Sequence, residues 1–167
     1  MKRRYFLSGS LAATATSVFG EGSKKSLSLG YDNFAVRAMG WKAQELIDYA
    51  VKLKVDTVFI TDLDAFQSLD EKHLLGIRKY ADDQGIKIYL GTWSICPTSV
   101  SFKDKWGKAE EHLRLGLRSA KALGSPVIRV VLGNGRDRAT KGGIAARIED
   151  TVKVLKSCKG MCEDLGV

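Results

Sequence analysis

The feature that most constrains the fold of this chain is a boundary that recurs along it. Helix-like stretches end at Lys54, Gly85, Gly124 and Gly166, and the first three ends are followed at once by a run rich in Val and Ile. These boundaries lie 31, 39 and 42 residues apart. A glycine that ends a helix and precedes an apolar run is typical of the step from helix to strand. The sequence therefore predicts a repeated unit of one strand and one helix.

Hydrophobic periodicity assigns the elements of each unit. Residues that return every three or four positions indicate the buried face of a helix, and short β-branched runs indicate buried strands. Ser68 to Glu71 has the spacing of a capping box, which predicts the start of the second helix there. The predicted strands are SLSLGY, DTVFIT, IKIYLG and PVIRVVLG, and in the first of them Leu27, Leu29 and Tyr31 lie on one side. The predicted helices cover 41–54, 68–84, 104–123 and 144–165. Their predicted inward residues are Leu46, Ile47, Ala50, Leu53, Leu74, Ile77, Ala81, Ala109, Leu113, Leu117, Ala120, Ile148, Val152 and Leu155.

Alternation of apolar strands with helices predicts an α/β fold with a parallel sheet. Such a sheet is either doubly wound or closed into a (β/α)₈ barrel, and four units are present here. The strand near Leu27 to Tyr31 is expected at one edge and the strand near Val127 to Leu132 at the other.

The first twenty residues have a sequence pattern that differs from the rest of the chain. MKRRYFLSGSLAATATSVFG has a basic start with Arg3 and Arg4, followed by RRYFL and a weakly apolar run. This pattern predicts a twin-arginine signal peptide over residues 1–20, with the mature chain beginning near Glu21 and exported to the periplasm or beyond. The run is too short and too rich in Ser and Thr for a permanent membrane anchor. A disordered basic tail is the alternative.

Composition excludes some functions. The 167 residues are 44% hydrophobic and 28% charged with a net charge of +8, of which Lys2, Arg3 and Arg4 supply three. The remaining charges alternate along helix-like stretches, which indicates solvated helix faces rather than a nucleic-acid footprint. Cys96, Cys158 and Cys162 are too few for a disulfide framework. Cys158 and Cys162 lie i,i+4 on a predicted helix and could share one face, but without a third and fourth ligand nearby they are expected to pack against the core rather than bind a metal.

Several whole segments carry a family resemblance. GYDNFAVRAMGWKAQELIDYAVKLKVDTVFITDLDAF, GTWSICPTS, GKAEEHLRLGLRSAKALGSPVIRVVLG and CEDLGV resemble the sugar phosphate isomerase/epimerase family, the xylose isomerase-like barrels, especially their secreted twin-arginine members. The resemblance implies a TIM barrel, the (β/α)₈ fold, of about twice this span. Residues 21–167 are then expected to form the N-terminal half barrel of a longer protein, with Gly166 and Val167 leading into a fifth strand.

The resemblance also implies a function. Family members bind a sugar or sugar derivative and use a divalent metal of the Mn, Mg or Zn class, together with paired carboxylates, to move a proton between adjacent carbons. The metal is held by carboxylates and a His on later strands, so neither metal ligands nor catalytic residues are expected here. His73 and His112 fall within predicted helices, where a solvent-facing or groove-packed role is expected. The fragment is expected to be inactive, and its open strand edges favour dimerisation or aggregation.

Four residues are candidates for substrate binding, because active sites in such barrels gather at the carboxyl ends of the strands. Trp93 follows the third strand and could stack on a sugar or cap the barrel core. Asp62, with Asp64, could bind hydroxyls or cap helix two. Arg129 lies within a strand and, if it faces the interior, should pair with a carboxylate, expected on the other half of the barrel. Asn134 follows the fourth strand.

Other functional classes remain as alternatives. GNGRDR after strand four is similar to a phosphate loop, but it lies on the wrong βα turn and Arg138 occupies the third glycine position of the dinucleotide fingerprint. A doubly wound nucleotide-binding module would need such a turn after strand one. The metal-dependent endonuclease branch of the same barrel is disfavoured by the lack of His at early strand ends and by export. A non-catalytic carbohydrate-binding barrel stays open.

Overall fold

A computed structural model describes residues 27–167 of the chain. Four strands alternate with helices, and a short 3-10 segment lies between each strand and the helix that follows it. The strands and helices are β1 Gly30–Asp32, α1 Ala43–Leu53, β2 Thr57–Ile60, α2 Glu71–Asp83, β3 Lys87–Ser94, α3 Ala109–Leu123, β4 Ile128–Val131, α4 Gly143–Ser157 and α5 Lys159–Leu165.

All four strands form one parallel sheet in the order β1, β2, β3, β4. Each strand pairs with the next along the chain, whereas a doubly wound sheet reverses its strand order at a switch point. The sheet is therefore part of a TIM barrel with about four βα units, and the predicted parallel pairing is confirmed. β1 and β4 are its edges, although β1 begins at Gly30, so that Leu27 and Leu29 lie outside it and are exposed.

Every predicted unit boundary has a left-handed backbone. Lys54, Gly85, Gly124 and Gly166 have φ values of 56°, 71°, 70° and 66°. This conformation ends a helix and favours glycine, so Lys54 is the one strained member of the set. The same turn thus ends α1, α2, α3 and α5 and sends the chain back toward the sheet.

The core lies between the sheet and the helix layer. On β2 and β3 the side chains of Val58, Ile60, Ile88 and Leu90 are buried, and the alternate positions except Gly91 are more exposed. The predicted inward residues of α2 and α3 are all buried, as are Leu46, Ile47 and Ala50 of α1; Leu53 is exposed. Cys158 and Cys162 pack in a second apolar cluster with α3 and β4, as predicted.

The second helix starts later than predicted. α2 begins at Glu71 with Asp70 as its N-cap residue, and the Ser68 hydroxyl accepts a hydrogen bond from the Asp70 N–H at 3.0 Å. The capping box at Ser68 was therefore wrong, because this serine stabilises the turn before the helix rather than the helix itself.

The predicted helix over 144–165 is two helices, which divide at Cys158. Its predicted buried face was also wrong. Arg147, Thr151 and Val154 are buried, whereas Ile148, Val152 and Leu155 are 49%, 38% and 40% exposed.

The predicted signal peptide over residues 1–20 lies outside the described residues and stays a prediction. Within residues 27–167, no helix has the length and apolar character needed to cross a bilayer.

Candidate functional site

Two adjoining cavities open at the carboxyl edge of the sheet. Their volumes are about 440 Å³ and about 300 Å³, and Phe34, Thr61 and Trp93 line both of them. We call them the outer and the inner strand-end cavity, respectively. Since all strands run in the same direction, the segments that follow β1, β2 and β3 meet at this edge. The edge is thus where the fold brings together residues that are far apart in sequence.

Hydrogen bonds fix the segment after β1 against the end of β2. The side-chain carbonyl of Asn33 accepts from the Thr61 N–H at 2.9 Å and from the Thr61 hydroxyl at 2.8 Å. The Asp32 carboxylate accepts from the Phe34 N–H at 2.8 Å, and the Arg37 guanidinium lies 3.9 Å from the centre of the Phe34 ring. Phe34 is thereby held at the mouth of both cavities.

Trp93 is held by two neighbours. Its indole N–H donates to the Asp62 carboxylate, and the Lys103 ammonium lies 4.4 Å from the ring centre. Asp62 also accepts from the Asp64 N–H at 3.1 Å and so caps a 3-10 turn, Leu63–Ala65, instead of helix two. Burial raises the pKa of the Asp62 carboxyl, and the hydrogen bond from Asp64 acts in the opposite direction. Asp62 thus orients the indole at the strand end.

Asp64 joins three loops. Its carboxylate forms an ion pair with Lys105, and its backbone carbonyl accepts from the Lys42 ammonium at 2.8 Å. Lys42 precedes α1, Asp64 follows β2 and Lys105 precedes α3. Of these residues, Lys42 and Asp64 line the outer strand-end cavity.

Arg129 lies on the sheet face opposite the helix layer. Its register partner on β3 is Gly91, and its guanidinium lies 5.2 Å from the centre of the Phe59 ring. The side chain lines the inner strand-end cavity with Trp93. Trp93, Asp62 and Arg129 therefore meet around the adjoining cavities, as candidates at one edge should.

Asn134 lies elsewhere. It lines a separate cavity of about 360 Å³ after β4, and its side chain accepts from the Arg136 N–H at 2.9 Å. Beside it the fully buried Asp137 accepts from the Asn134 N–H, the Val100 N–H and the Ser99 hydroxyl at 2.7, 2.9 and 2.9 Å. The hydrogen bond from the Asn134 N–H, followed by those from the Val100 N–H and the Ser99 hydroxyl, lowers the pKa of Asp137. Both residues stabilise the loop after β4.

The histidines lie away from the strand-end cavities. His112 is fully buried between α3 and β3, where its Nε2 and the Thr92 hydroxyl are 2.6 Å apart. Burial lowers the pKa of its imidazole, which keeps the ring neutral. His73 lies in α2 beside a different groove. The groove-packed role predicted for a helical histidine fits His112.

The described residues do not fit a divalent metal site. Across residues 27–167, no three His, Cys, Asp or Glu side chains come together in a way that could hold a metal ion. Asp62, Asp64 and Asp137 face Trp93, Lys105 and backbone N–H groups respectively. Carboxylates used in this way do not converge on one cation.

The sequence prediction missed several residues of this site. Phe34, Thr61 and Lys103 belong to it, and so does Gly91 beneath Arg129. Thr61 directly follows β2 and Phe34 lies two residues after β1, which is a usable signal for this edge. Lys103 lies in the long segment between β3 and α3, and nothing in its sequence context indicates contact with Trp93.

Comparison with protein-family models gave no match, and comparison with curated proteins gave none either. A search of solved structures found similar folds, among them the crystal structure of D-psicose 3-epimerase in the presence of D-fructose. The TM-score is 0.62 at 18% sequence identity, and the match covers 84% of this chain and 50% of that chain. The chain thus spans about half the length of that structure. The similarity shows the fold, a partial TIM barrel.

Proposed function

We propose that this chain forms the sugar-binding wall of a sugar isomerase/epimerase-like barrel. The observation that carries the proposal is the placement of Trp93, whose ring lines both strand-end cavities while Asp62 fixes its N–H. An indole offers a flat apolar surface on which the C–H face of a sugar can pack. The cavity volumes fall in the usual range for small-molecule sites. The structural similarity to D-psicose 3-epimerase supports this reading by analogy of fold.

The isomerisation itself requires groups beyond those described. Proton transfer between adjacent carbons needs an acid or base within hydrogen-bond reach of the substrate. Asp62 and Asp64 are already engaged by Trp93 and Lys105, and no metal site is present among residues 27–167. We therefore assign sugar binding to this half and assign proton transfer and any divalent metal to the remainder of a complete barrel. The 167-residue chain alone is expected to be inactive in ketose epimerisation and aldose–ketose isomerisation.

Sugar binding is tested by titrating the chain with D-fructose while recording amide NMR spectra. We expect saturable shifts in the segments after β1, β2 and β3, and about tenfold weaker binding by Trp93→Leu, which corresponds to about 1.4 kcal/mol. Trp106→Leu is the matched control, because Trp106 lines neither strand-end cavity. Equal affinity of the Trp93 variant and the wild type would contradict the proposal.

A non-catalytic carbohydrate-binding barrel is the second candidate. It is favoured by the engagement of the strand-end carboxylates, since Asp62 orients an indole and Asp64 joins loops. A sugar-interconversion assay on a chain extended to a complete barrel separates the two. Turnover with added Mn²⁺ or Mg²⁺ supports the isomerase, and sugar binding without turnover supports the binding protein.

A further inference from the structure

Arg129 is a charged side chain in the middle of a strand. Its neighbours on the inner sheet face are the ring of Phe59 and the backbone of Gly91, and it borders the inner strand-end cavity. The side chain is half-buried, although the inner face is open in this chain. Closure of a barrel would lower the local dielectric and raise the free-energy cost of an unpaired guanidinium.

Gly91 makes room for this arginine. A Cβ atom at position 91 would lie 3.2 Å from the Arg129 Nε and 3.3 Å from atoms of the Phe59 ring. Such contacts are tighter than most side chains accept. The glycine therefore lets the guanidinium settle over the Phe59 ring, where a cation–π contact helps to orient it.

The guanidinium has no carboxylate partner in the described part of the chain. None of the ion pairs among residues 27–167 includes Arg129. Asp32 lines the same cavity, but its carboxylate accepts from the Phe34 N–H at 2.8 Å. Asp62, the next acid along this edge, accepts from Trp93 and Asp64. The hydrogen-bond donors of Arg129 are thus available to a ligand.

We propose that Arg129 binds the carboxylate of an acidic sugar whose ring lies against Trp93, so that the site prefers sugar acids to neutral sugars. This inference rests on the proposed sugar-binding function. A planar guanidinium matches a carboxylate through two parallel hydrogen bonds. Arg129 is the only cationic residue lining the inner strand-end cavity within residues 27–167, and the acidic Asp32 lines it as well. A single positive charge beside a carboxylate suits a monoanion better than a phosphate dianion.

The test compares three ligands of similar ring structure. D-glucuronate, D-glucose and D-glucose 6-phosphate are titrated at pH 7 into the wild-type chain, Arg129→Met, Arg129→Lys and the control Arg118→Met, an exposed arginine on α3. We expect wild type and Arg118→Met to bind glucuronate about tenfold more tightly than glucose. Arg129→Met should lose this preference, so that its affinities for glucuronate and for glucose become similar. Arg129→Lys should retain part of it, because the charge remains but the two-pronged donor is lost.

Each outcome separates this inference from the function on which it rests. Saturable glucose binding with no preference for glucuronate overturns the role of Arg129 and leaves the proposed function intact. A preference for glucuronate that persists in Arg129→Met also overturns the proposed role of Arg129. If glucose 6-phosphate binds more tightly than glucuronate and its binding depends on Arg129 in the same way, the ligand group of Arg129 is a phosphate. This result refutes the assignment to sugar acids. Absence of binding by all three ligands, with a native amide spectrum, refutes both.

Discussion

The third and fourth βα units use their helices in different ways. α3 buries Ala109, Leu113, Leu117 and Ala120 and contacts helices on both sides, α2 and α4. α4 buries Arg147, Thr151 and Val154 while three of its apolar side chains remain exposed. Two of its buried polar groups form hydrogen bonds within the unit, since the Arg147 Nη1 donates to the Thr140 hydroxyl at 2.9 Å and the Thr151 hydroxyl donates to the Arg147 carbonyl at 2.8 Å. The buried Arg147 Nε has no hydrogen-bond partner among residues 27–167.

The difference teaches what hydrophobic periodicity measures. The apolar stripe of a barrel helix serves both the sheet and the neighbouring helices, so its width exceeds what the sheet alone can cover. In α3 the whole stripe is covered. In α4 the part formed by Ile148, Val152 and Leu155 is exposed, and such contiguous apolar surface is typical of a face that packs against something. Self-association through the open strand edges, including that of β4, stays a prediction.

The largest effect should come from matched leucine truncations in the two helices. Leu113→Ala removes a side chain that is 1% exposed and is expected to lower the free energy of unfolding by about 2–5 kcal/mol. Leu155→Ala, at 40% exposure, should lower it by about 1 kcal/mol or less. Urea unfolding followed by circular dichroism measures both. Equal losses of unfolding free energy in the two variants would show that the apolar face of α4 is buried in solution. A urea midpoint that depends on protein concentration would then show that a second copy of the chain buries it.

A smaller effect is expected from the acid that anchors the fourth unit. The pKa of Asp137 is lower in the folded state than in the unfolded chain, so its contribution to stability is present above the unfolded value, about 3.9, and is lost as the pH falls further. Asp137→Asn should be less stable at pH 7, because an amide donor replaces one of the oxygens that accept from Ser99, Val100 and Asn134. It should also lose less stability than wild type between pH 5 and pH 3. The measurement is the free energy of unfolding of both proteins as a function of pH. If it falls by the same amount in both between pH 5 and pH 3, the prediction is contradicted.

The smallest effect concerns the buried histidine of the third unit. The pKa of His112 is lower in the folded state, so the unfolded chain takes up its proton first, and stability declines as the pH falls below about 6.5. His112→Gln should remove this decline between pH 7 and pH 5 and leave the Asp137 region unaffected. Thermal unfolding at several pH values measures it. The same slope in the variant would assign the decline to other groups.

Much of the fold could be predicted because each unit repeats the same local signals. Apolar strands, helical periodicity and the turns at Gly85 and Gly124 depend on neighbours in sequence, and they gave the parallel order correctly. The buried face of α4 was wrong because it depends on what lies beside the helix. The helix start predicted at Ser68 was wrong because a serine two residues before the N-cap residue can accept a hydrogen bond within the preceding turn instead.

The position of the site was predictable from the sequence, but the contacts between its side chains were not. The carboxyl edge of the sheet follows from strand direction, which is why Trp93, Asp62 and Arg129 meet there. That Asp62 holds Trp93 depends on a contact across 31 residues, and that Arg129 rests on Phe59 depends on the absence of a side chain at Gly91. No local pattern encodes either relation.

The sequential strand order also bears on how the chain acquires its structure. The paired residues of neighbouring strands are about 27, 30 and 38 positions apart, so no strand pairing requires closing a much longer loop. Loop-closure entropy grows slowly with length, and each new strand meets an edge that earlier residues have already formed. We expect assembly to proceed from the N-terminal units onward, and during synthesis each unit could dock as it leaves the ribosome.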